Sequence, residues 1–342
     1  MILRNATSSQ RRLEDTSLLI LNQNQNQLAH IGDLPHHLKR GDVLVVNDAA
    51  TLPSSLSGLH HRTQRKIEMR LVMPLSSDGY QRWRAVLFGE GDWRTPTENR
   101  PLPPPLESGD QLEFSSGLVA HIEKVHTSIS SRLISIAFES ENALAQIYSA
   151  GRPIQYSYLK ETLAIWDQQT IFAGPPVALE PPSASFALSW SMLIRLRASG
   201  IAVVSLTHGT GISSTGDDEI DKRLPFPERY RIPQETQEAI LRARKSGARV
   251  IAVGTGVVRA LESWAGERID SDWRFTDLKL SANYKRRVVD GLLTGMHDPQ
   301  ASHLDLLRAF LNNARLNEGY KAASQAGFLW HEYGDATLVI AG

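Results

Sequence analysis

The sequence predicts an α/β protein in which a small antiparallel β-barrel domain is inserted into a domain with a mostly parallel sheet. Three observations lead to this prediction. Short apolar runs precede residue 58, strand-length segments without helices fill most of residues 58–150, and strands alternate with helices after Gly151. We therefore expect a discontinuous α/β domain of residues 1–57 and 151–342, with a barrel domain of residues 58–150.

The composition of the 342-residue chain is that of an ordinary globular protein. Its length fits about two domains, and its 41% apolar residues can supply their cores. Thirty-seven basic residues balance thirty-seven acidic ones, so no overall charge draws the protein to nucleic acid or to a membrane. The absence of cysteine excludes disulfides, thiolate nucleophiles and iron–sulfur clusters. The apolar run at 18–21 is too short for a signal peptide or a membrane span, so we expect a cytoplasmic protein without membrane association.

The first half of the chain contains strands of two kinds. LLIL (18–21) and VLVV (43–46) are short apolar runs between turn-forming residues, and we assign them to the α/β sheet. The barrel strands are separated by Gly, Ser, Asp and Pro, and no helix is expected among them before about residue 141. Their sequences are KIEMRLVMPL, YQRWRAVLF, DQLEF, LVAHIEKV and RLISIAF.

The second half alternates strands with helices. A helix at 189–200 ends at Gly200 and leads into the strand IAVVSL (201–206). A helix at 234–247 fills the crossover to the strand at 249–253, where Gly254 breaks the strand and a further helix begins. We expect a last helix near 302–312 and a final strand, ATLVIAG, at the end of the chain.

Two strand ends are candidate ligand sites, because ligands of open α/β sheets bind beyond the carboxyl ends of the strands. Gly254, Thr255 and Gly256 join a strand to a helix N-terminus, which favours an anionic group; a tight turn with Thr255 as the N-cap is the alternative. His208, with Gly209 and Gly211, follows IAVVSL and could transfer a proton near neutral pH. A purely structural hydrogen bond is the alternative for His208.

Other polar groups have simpler explanations. His297 and Asp298 lie beside Pro299 and are expected to form a structured turn. Arg259 and Glu262 are three residues apart on one helix, which predicts an intrahelical ion pair. No histidine pair has partners at metal-ligand spacing, so we expect no metal site.

Several motifs, in order, resemble one known family. They are YSYL…QQTIFAGP (156–175), PPSASFALS (181–189), GARVIAVGTGVVRALES (247–263), VVDGLLTGMHDP (288–299) and EYGDATLVI (332–340). Together they resemble the S-adenosylmethionine:tRNA ribosyltransferase-isomerases of queuosine synthesis. The resemblance is strong over about 151–342 and faint before it, where GDVLVVNDAATLPSSLSG (41–58) is similar to a family segment.

The resemblance implies a reaction and a fold. The ribosyl part of S-adenosylmethionine, a substrate rather than a tightly bound cofactor, is transferred to a 7-aminomethyl-7-deazaguanine at the wobble position of tRNA. Adenine and methionine are released. The implied fold is an α/β domain with a β-barrel insertion, which agrees with the pattern of strands and helices. We expect tRNA and S-adenosylmethionine as partners of a monomer.

The same resemblance implies roles for particular residues. His208 and His297 are the expected catalytic residues. The expected S-adenosylmethionine contacts lie on the loop at 181–185, the loop after His208, and the strand–helix turn with its helix. These residues are Pro182, Ser183, Ala184, Gly209, Gly211, Gly254, Thr255, Gly256 and Arg259.

The chain departs from the family pattern in these loops. In LTHGTGIS (206–213) the histidine is displaced by one place, and Ile212-Ser213 replaces Thr-Phe. Ser185 replaces a glycine, Gly256 replaces a threonine, and the asparagine before His297 is lost. AATLPSSL (49–56) lacks two arginines of the family. Two alternatives to the family reaction follow: a paralogue that uses a different acceptor, and a non-catalytic RNA-binding relative.

Overall fold

The strands and helices of the protein are taken from a computed structural model, which describes residues 4–9, 15–76, 79–265, 271–297 and 302–341. Its strands are β1 (Arg4–Asn5), β2 (Ser17–Leu21), β3 (Asn26–His30), β4 (Val43–Asn47), β5 (Ala50–Thr51), β6 (Ser55–His60), β7 (Arg65–Pro74), β8 (Arg82–Phe88), β9 (Gln111–Phe114), β10 (Val119–Val125), β11 (Leu133–Phe138), β12 (Gly151–Arg152), β13 (Pro176–Ala178), β14 (Ala202–His208), β15 (Glu228–Arg231), β16 (Val250–Val253), β17 (Arg274–Thr276), β18 (Gly291–Gly295), β19 (Leu329–Trp330) and β20 (Ala336–Ile340).

The α-helices of the same residues range in length from 4 to 13 residues. They are α1 (Leu34–His37), α2 (Ala143–Ala150), α3 (Trp190–Ala198), α4 (Asp218–Asp221), α5 (Gln234–Lys245), α6 (Thr255–Trp264), α7 (Ser302–Leu307) and α8 (Asn313–Gln325). No helix within the described ranges is both long enough and apolar enough to cross a membrane.

The barrel is a closed antiparallel sheet. Its strands follow the order β6-β7-β8-β11-β10-β9, and β9 pairs back with β6 to close it. Alternate side chains such as Met69, Trp83 and Ile136 point inward and are fully buried. The strands β5, before the barrel, and β13, after it, pair with each other. The predicted insertion of a barrel into an α/β fold is therefore confirmed.

The large sheet has nine strands in the order β17-β15-β14-β4-β16-β18-β20-β2-β3 among the described residues. Its centre, β14-β4-β16-β18, is parallel, as predicted. On either side the sheet is mixed: only β2 and β20 pair in parallel there, and the other outer pairs are antiparallel. An apolar run does not encode the direction of a strand, so the sequence could not reveal these outer pairings.

Helices cover both faces of the sheet. Residues of α5, α6 and α8 belong to the core on one face, and residues of α1 and α3 belong to the core on the other. The central strands β4 and β16 are buried throughout. A strand covered on both faces needs apolar residues at every position, which explains the continuous runs VLVV and VIAV.

One of the helices differs from the prediction. The helix expected near 302–312 ends at Leu307, and α8 follows as a separate helix that the sequence analysis missed. Asn312 begins α8, because its side chain accepts a hydrogen bond from the Arg315 N–H at 3.0 Å. The α5 crossover does not join neighbouring strands, since β4 lies between β14 and β16.

Candidate active site

The carboxyl ends of the four central strands meet at one edge of the sheet. Asn47 ends β4, His208 ends β14, Gly254 follows β16 and Gly295 ends β18. A cavity of about 340 Å³, called here the main cavity, opens at this edge. Its position is the usual ligand crevice of a parallel α/β sheet.

The main cavity brings together most of the residues that the sequence analysis selected. The loop before α3 and the turn that begins α6 adjoin each other on it, since a Cβ atom added to Gly254 would lie 3.6 Å from the Cβ of Ala184; His297 lines the same cavity. The selected residues that line it are Pro182, Ser183, Ala184, Gly254, Thr255, Gly256 and His297. A larger groove of about 760 Å³ runs along α8 and includes none of them.

His208 lies behind the wall of the main cavity rather than on it. Its side chain is fully buried, and its backbone is fixed by Asn47, which accepts from the His208 N–H at 2.9 Å and donates to its carbonyl at 2.8 Å. A Cβ atom added to Gly256 would lie 2.6 Å from Nδ1 of His208. The imidazole therefore packs directly against the first turn of α6, in space that any side chain at position 256 would need.

Glu228 joins His208 to the helix. Its Oε2 lies 3.1 Å from Nε2 of His208 and 2.5 Å from a guanidinium nitrogen of Arg259, and its Oε1 accepts the Gly211 N–H at 2.7 Å. Burial alone would raise the pKa of Glu228, but Arg259, His208 and the Gly211 N–H together lower it below its usual value. A buried carboxylate thus ties β14, β15 and α6 together.

The predicted ion pair between Arg259 and Glu262 is wrong. Glu262 instead accepts backbone N–H groups from Arg287, Val288 and Val289 at 2.7, 3.0 and 2.9 Å. These donors are distant in sequence, so helical spacing alone could not reveal them.

A second cavity of about 410 Å³, called here the side cavity, is lined by the loop that follows β14. Gly211 and Arg259 line it, and Thr255 lines both cavities. Gly209 lines neither; its N–H donates to the Arg229 carbonyl at 2.8 Å. The selected residues therefore divide between two adjoining cavities and the loop that separates them.

His297 is the histidine that faces the main cavity. Its Nε2 lies 2.7 Å from the hydroxyl of Thr294, near the end of β18. The neighbours with which it was expected to form a turn, Asp298 and Pro299, lie outside the described residues.

Two carboxylates that the sequence analysis did not select also line the main cavity. Glu180 accepts hydrogen bonds from the Tyr156 hydroxyl and from the N–H and hydroxyl of Ser213. Burial nevertheless raises the pKa of Glu180 above its usual value. Burial also raises the pKa of Glu332 to about 7. Both carboxyl groups therefore release their proton at a higher pH than an exposed carboxyl group does.

A signal for some of these residues was present in the sequence. Asn47 directly follows the apolar run VLVV, just as His208 follows IAVVSL, so the same strand-end reasoning would have selected it. Glu332 lies within EYGDATLVI, which contributed only to the resemblance. Glu180 had no local signal, because its role depends on contacts with Tyr156 and Ser213.

Comparisons with known proteins identify the family of the chain. The family model described as "Queuosine biosynthesis protein" matches residues 4–339. The chain belongs to this family. The match extends through the N-terminal third of the chain, where the resemblance in the sequence was faint.

Individual members of the queuosine biosynthesis family are similar along almost their whole length. A protein of Sorangium cellulosum named S-adenosylmethionine:tRNA ribosyltransferase-isomerase is 34% identical, over 91% of this chain and 87% of the relative. One of the same name from Thermus thermophilus is 33% identical, over 94% and 92%.

A solved structure shares the fold. The crystal structure of S-adenosylmethionine tRNA ribosyltransferase from Thermotoga maritima matches with a TM-score of 0.52 and 19% identity, covering 98% of this chain and 96% of that one. Within the described residues, no group of three or more His, Cys, Asp or Glu side chains could hold a metal ion.

Proposed function

We propose that this protein transfers and isomerises the ribosyl moiety of S-adenosylmethionine onto a 7-aminomethyl-7-deazaguanine at the wobble position of tRNA. The products are epoxyqueuosine-tRNA, adenine and methionine. The observation that carries the proposal is the family match over residues 4–339, together with relatives of that activity name at 33–34% identity. The protein is proposed to act as a monomer in the cytoplasm.

The N-terminus of α6 supports binding of the methionine carboxylate. The ten-residue helix begins at Thr255 with its first turn on the main cavity. The Gly254 N–H donates to the Leu293 carbonyl at 2.8 Å, so the N–H groups of the first helical turn and the positive end of the helix dipole favour an anion there. We assign the carboxylate to the turn of Gly254, Thr255 and Gly256, and the adenine ring to the adjoining loop of Pro182, Ser183 and Ala184.

His297 is the proposed proton acceptor. The sulfonium of S-adenosylmethionine makes the neighbouring 5′ hydrogens acidic and makes methionine a neutral leaving group, so the reaction needs a base within reach of the substrate. His297 lines the main cavity, and Thr294 fixes its imidazole through Nε2. Its contact with the cavity is the reason to assign proton transfer to this residue.

His208 is proposed as a positioning residue, which differs from the catalytic role predicted from the sequence. It is fully buried, packs beneath the first turn of α6 and contacts Glu228. Arg259 and Gly211 bind the same carboxylate, and Gly209 anchors the start of the loop. In this proposal these residues hold the wall between the two cavities in shape.

The test is a reaction of purified protein, S-adenosylmethionine and tRNA that carries the aminomethyl-deazaguanine precursor. Mass spectrometry should find the ribosylated nucleoside and an equal amount of free adenine. Transfer RNA with unmodified guanine at the wobble position is the matched control and should give neither product.

Other outcomes select the alternatives. Binding of S-adenosylmethionine without product from this tRNA would replace the proposal by a paralogue with another acceptor. Binding of tRNA without any binding of S-adenosylmethionine would replace it by a non-catalytic RNA-binding protein. The altered loop, with Ile212-Ser213 in place of Thr-Phe, is the observation that keeps these alternatives in the test.

A further inference from the structure

A small cavity adjoins the main cavity and is part of neither proposed binding region. Its volume of about 10 Å³ accommodates one water-sized group. Glu180, Pro181 and Glu332 line both this cavity and the main one. A ligand in the main cavity could therefore extend one compact head group into it.

Three buried oxygen atoms on the residues of this cavity lack a hydrogen-bond partner within the described part of the chain. They are the Tyr158 hydroxyl, Oε1 of Gln168 and Oε2 of Glu332. Gln168 is only 3% exposed, and its Nε2 donates to the Ile154 carbonyl at 3.1 Å, which fixes the amide. Buried polar atoms without partners are costly, and three of them belong to residues that line one cavity, which favours a polar group as its occupant.

The chemistry of these atoms specifies the kind of group. The amide oxygen accepts hydrogen bonds only, an ionised carboxylate does the same, and the tyrosine hydroxyl can accept as well as donate. The carboxylate of Glu180 is a further negative group on the same cavity. A small cation with several N–H donors satisfies this set, and a primary ammonium has three donors. Its charge would also favour the ionised form of Glu332, whose pKa burial raises to about 7.

We propose that this cavity binds a primary alkylammonium group of a substrate through Glu332, Gln168 and Tyr158. The source of that ammonium rests on the proposed function, whose reaction offers two: the α-ammonium of S-adenosylmethionine and the aminomethyl group of the acceptor base. Both present the same head group, so the structure specifies the chemistry and the experiment distinguishes the sources.

Isothermal titration calorimetry with paired ligands tests the proposal. S-adenosylmethionine is compared with its analogue that lacks the α-amino group, and the free 7-aminomethyl base is compared with the 7-methyl base. Glu332→Gln should weaken binding of one amine-bearing ligand by about ten- to a hundred-fold, as expected for a lost hydrogen bond to a charged group. Its amine-free analogue should bind the variant and the wild type equally. Glu238→Gln, on α5 with a side chain that is 41% exposed, is the matched control and should leave the affinity for every ligand unchanged.

The ligand that loses affinity identifies the source of the ammonium. If both amine-bearing ligands bind Glu332→Gln and Gln168→Leu as tightly as the wild type, the ammonium subsite is refuted while the proposed function stands.

A probe independent of the reaction separates the two proposals. Methylammonium chloride should raise the melting temperature of the wild type by on the order of 1 °C above an equal concentration of sodium chloride, and it should not do so for Glu332→Gln. If neither substrate binds the wild type, the proposed function fails, and the comparison of the two salts alone tests the ammonium subsite. An equal effect of the two salts on the melting temperature of the wild type would then refute the subsite.

Discussion

At the scale of single residues, burial and local partners shift the pKa values of three carboxyl groups at this site. Glu228, Glu180 and Glu332 are all carboxylates near the strand ends, yet their partners differ. Arg259 and His208 lower the pKa of Glu228 against the effect of burial, whereas hydrogen bonds to Glu180 do not overcome burial. Glu332 has an Oε2 atom without any partner in the described ranges, and burial raises its pKa to about 7. Glu228 and Glu180 each have three hydrogen-bonding partners, so the charge of the partners separates them: a guanidinium contacts Glu228, whereas the donors to Glu180 are neutral.

Glu332 should make the stability of the ligand-free protein depend on pH. An unfolded glutamate titrates near pH 4.3, so the folded protein binds this proton more tightly than the unfolded chain does. The resulting stabilisation is complete below about pH 4 and is lost as the pH rises through about 7. The free energy of unfolding should therefore fall between pH 5 and pH 8, by up to ~3 kcal/mol from this group.

Urea unfolding of wild type and Glu332→Gln across this pH range measures the effect. The glutamine cannot ionise, so the stability of the variant should fall less with pH. Glu238→Gln should keep the wild-type slope, since the side chain of Glu238 is 41% exposed and pairs with Arg242. Parallel curves for wild type and Glu332→Gln would show that this carboxyl titrates normally.

His297 is expected to act in catalysis more than in binding. His297→Gln should lower kcat by about 10²- to 10⁴-fold, the usual contribution of a general base, and change the Kd for S-adenosylmethionine less than threefold. Single-turnover kinetics and calorimetry give the two quantities. Equal losses of rate and affinity would instead make His297 a ligand-positioning residue.

At the scale of elements, the first turn of α6 and the end of β14 must fit each other. The side chain of His208 occupies the space in which a Cβ of residue 256 would lie. Two of the departures from the family pattern, the displaced histidine and the glycine that replaces a threonine, are therefore in direct contact. The structure accounts for them as one coupled change rather than two independent ones.

This coupling predicts the behaviour of a double mutant. Gly256→Ala should destabilise the protein by about 1–3 kcal/mol, because the added methyl group overpacks against the imidazole. In a His208→Ala background the same change should cost much less, since the obstructing ring is gone. Additive losses in the double-mutant cycle would show that the two positions do not compete for space.

At the scale of the whole molecule, the barrel contributes to the candidate site although it holds none of the selected residues. Arg70 of β7 is buried, pairs with Glu68 at 2.7 Å and lies 5.9 Å from the ring centre of Tyr156. Tyr156 in turn donates to Glu180 at the main cavity. A second contact joins the loop after β14 to the barrel, where Gly216 meets the backbone of Thr97.

The close contact at Gly216 predicts that a side chain at this position destabilises the packing of the loop against the barrel. Its φ is +65°, and an added Cβ would lie 2.5 Å from backbone atoms of Thr97, which cannot move aside as a side chain could. Gly216→Ala should cost more than the ~1 kcal/mol expected for backbone strain alone.

The matched control for this prediction is Gly247→Ala. Gly247 has a similar φ of +73°, but no atom lies within 4 Å of its added Cβ. Thermal unfolding of the two variants should therefore differ, with Gly216→Ala clearly the less stable. Equal losses would mean that the barrel and the loop move apart without cost.

The sequence by itself determined the classes of the elements and the strand-end turn. Continuous apolar runs, alternating strands and helices, and the break at Gly254 depend on residues close together in the chain, so periodicity and turn chemistry reveal them. The strand–helix turn was selected from this local pattern, whereas the loop at 182–184 and the role of His297 were implied by the resemblance to the family. These residues all line the main cavity.

Only the tertiary structure decided which strand ends meet and what each polar group faces. Asn47 and His208 are 161 residues apart, and their hydrogen bonds exist only because β4 and β14 are neighbours in the sheet. The same packing turns Arg259 toward Glu228 and places Glu332 beside Gln168 on a cavity too small for more than one head group. The burial that raises the pKa of a carboxyl is a property of the assembled fold, because it depends on every segment that excludes water from the group.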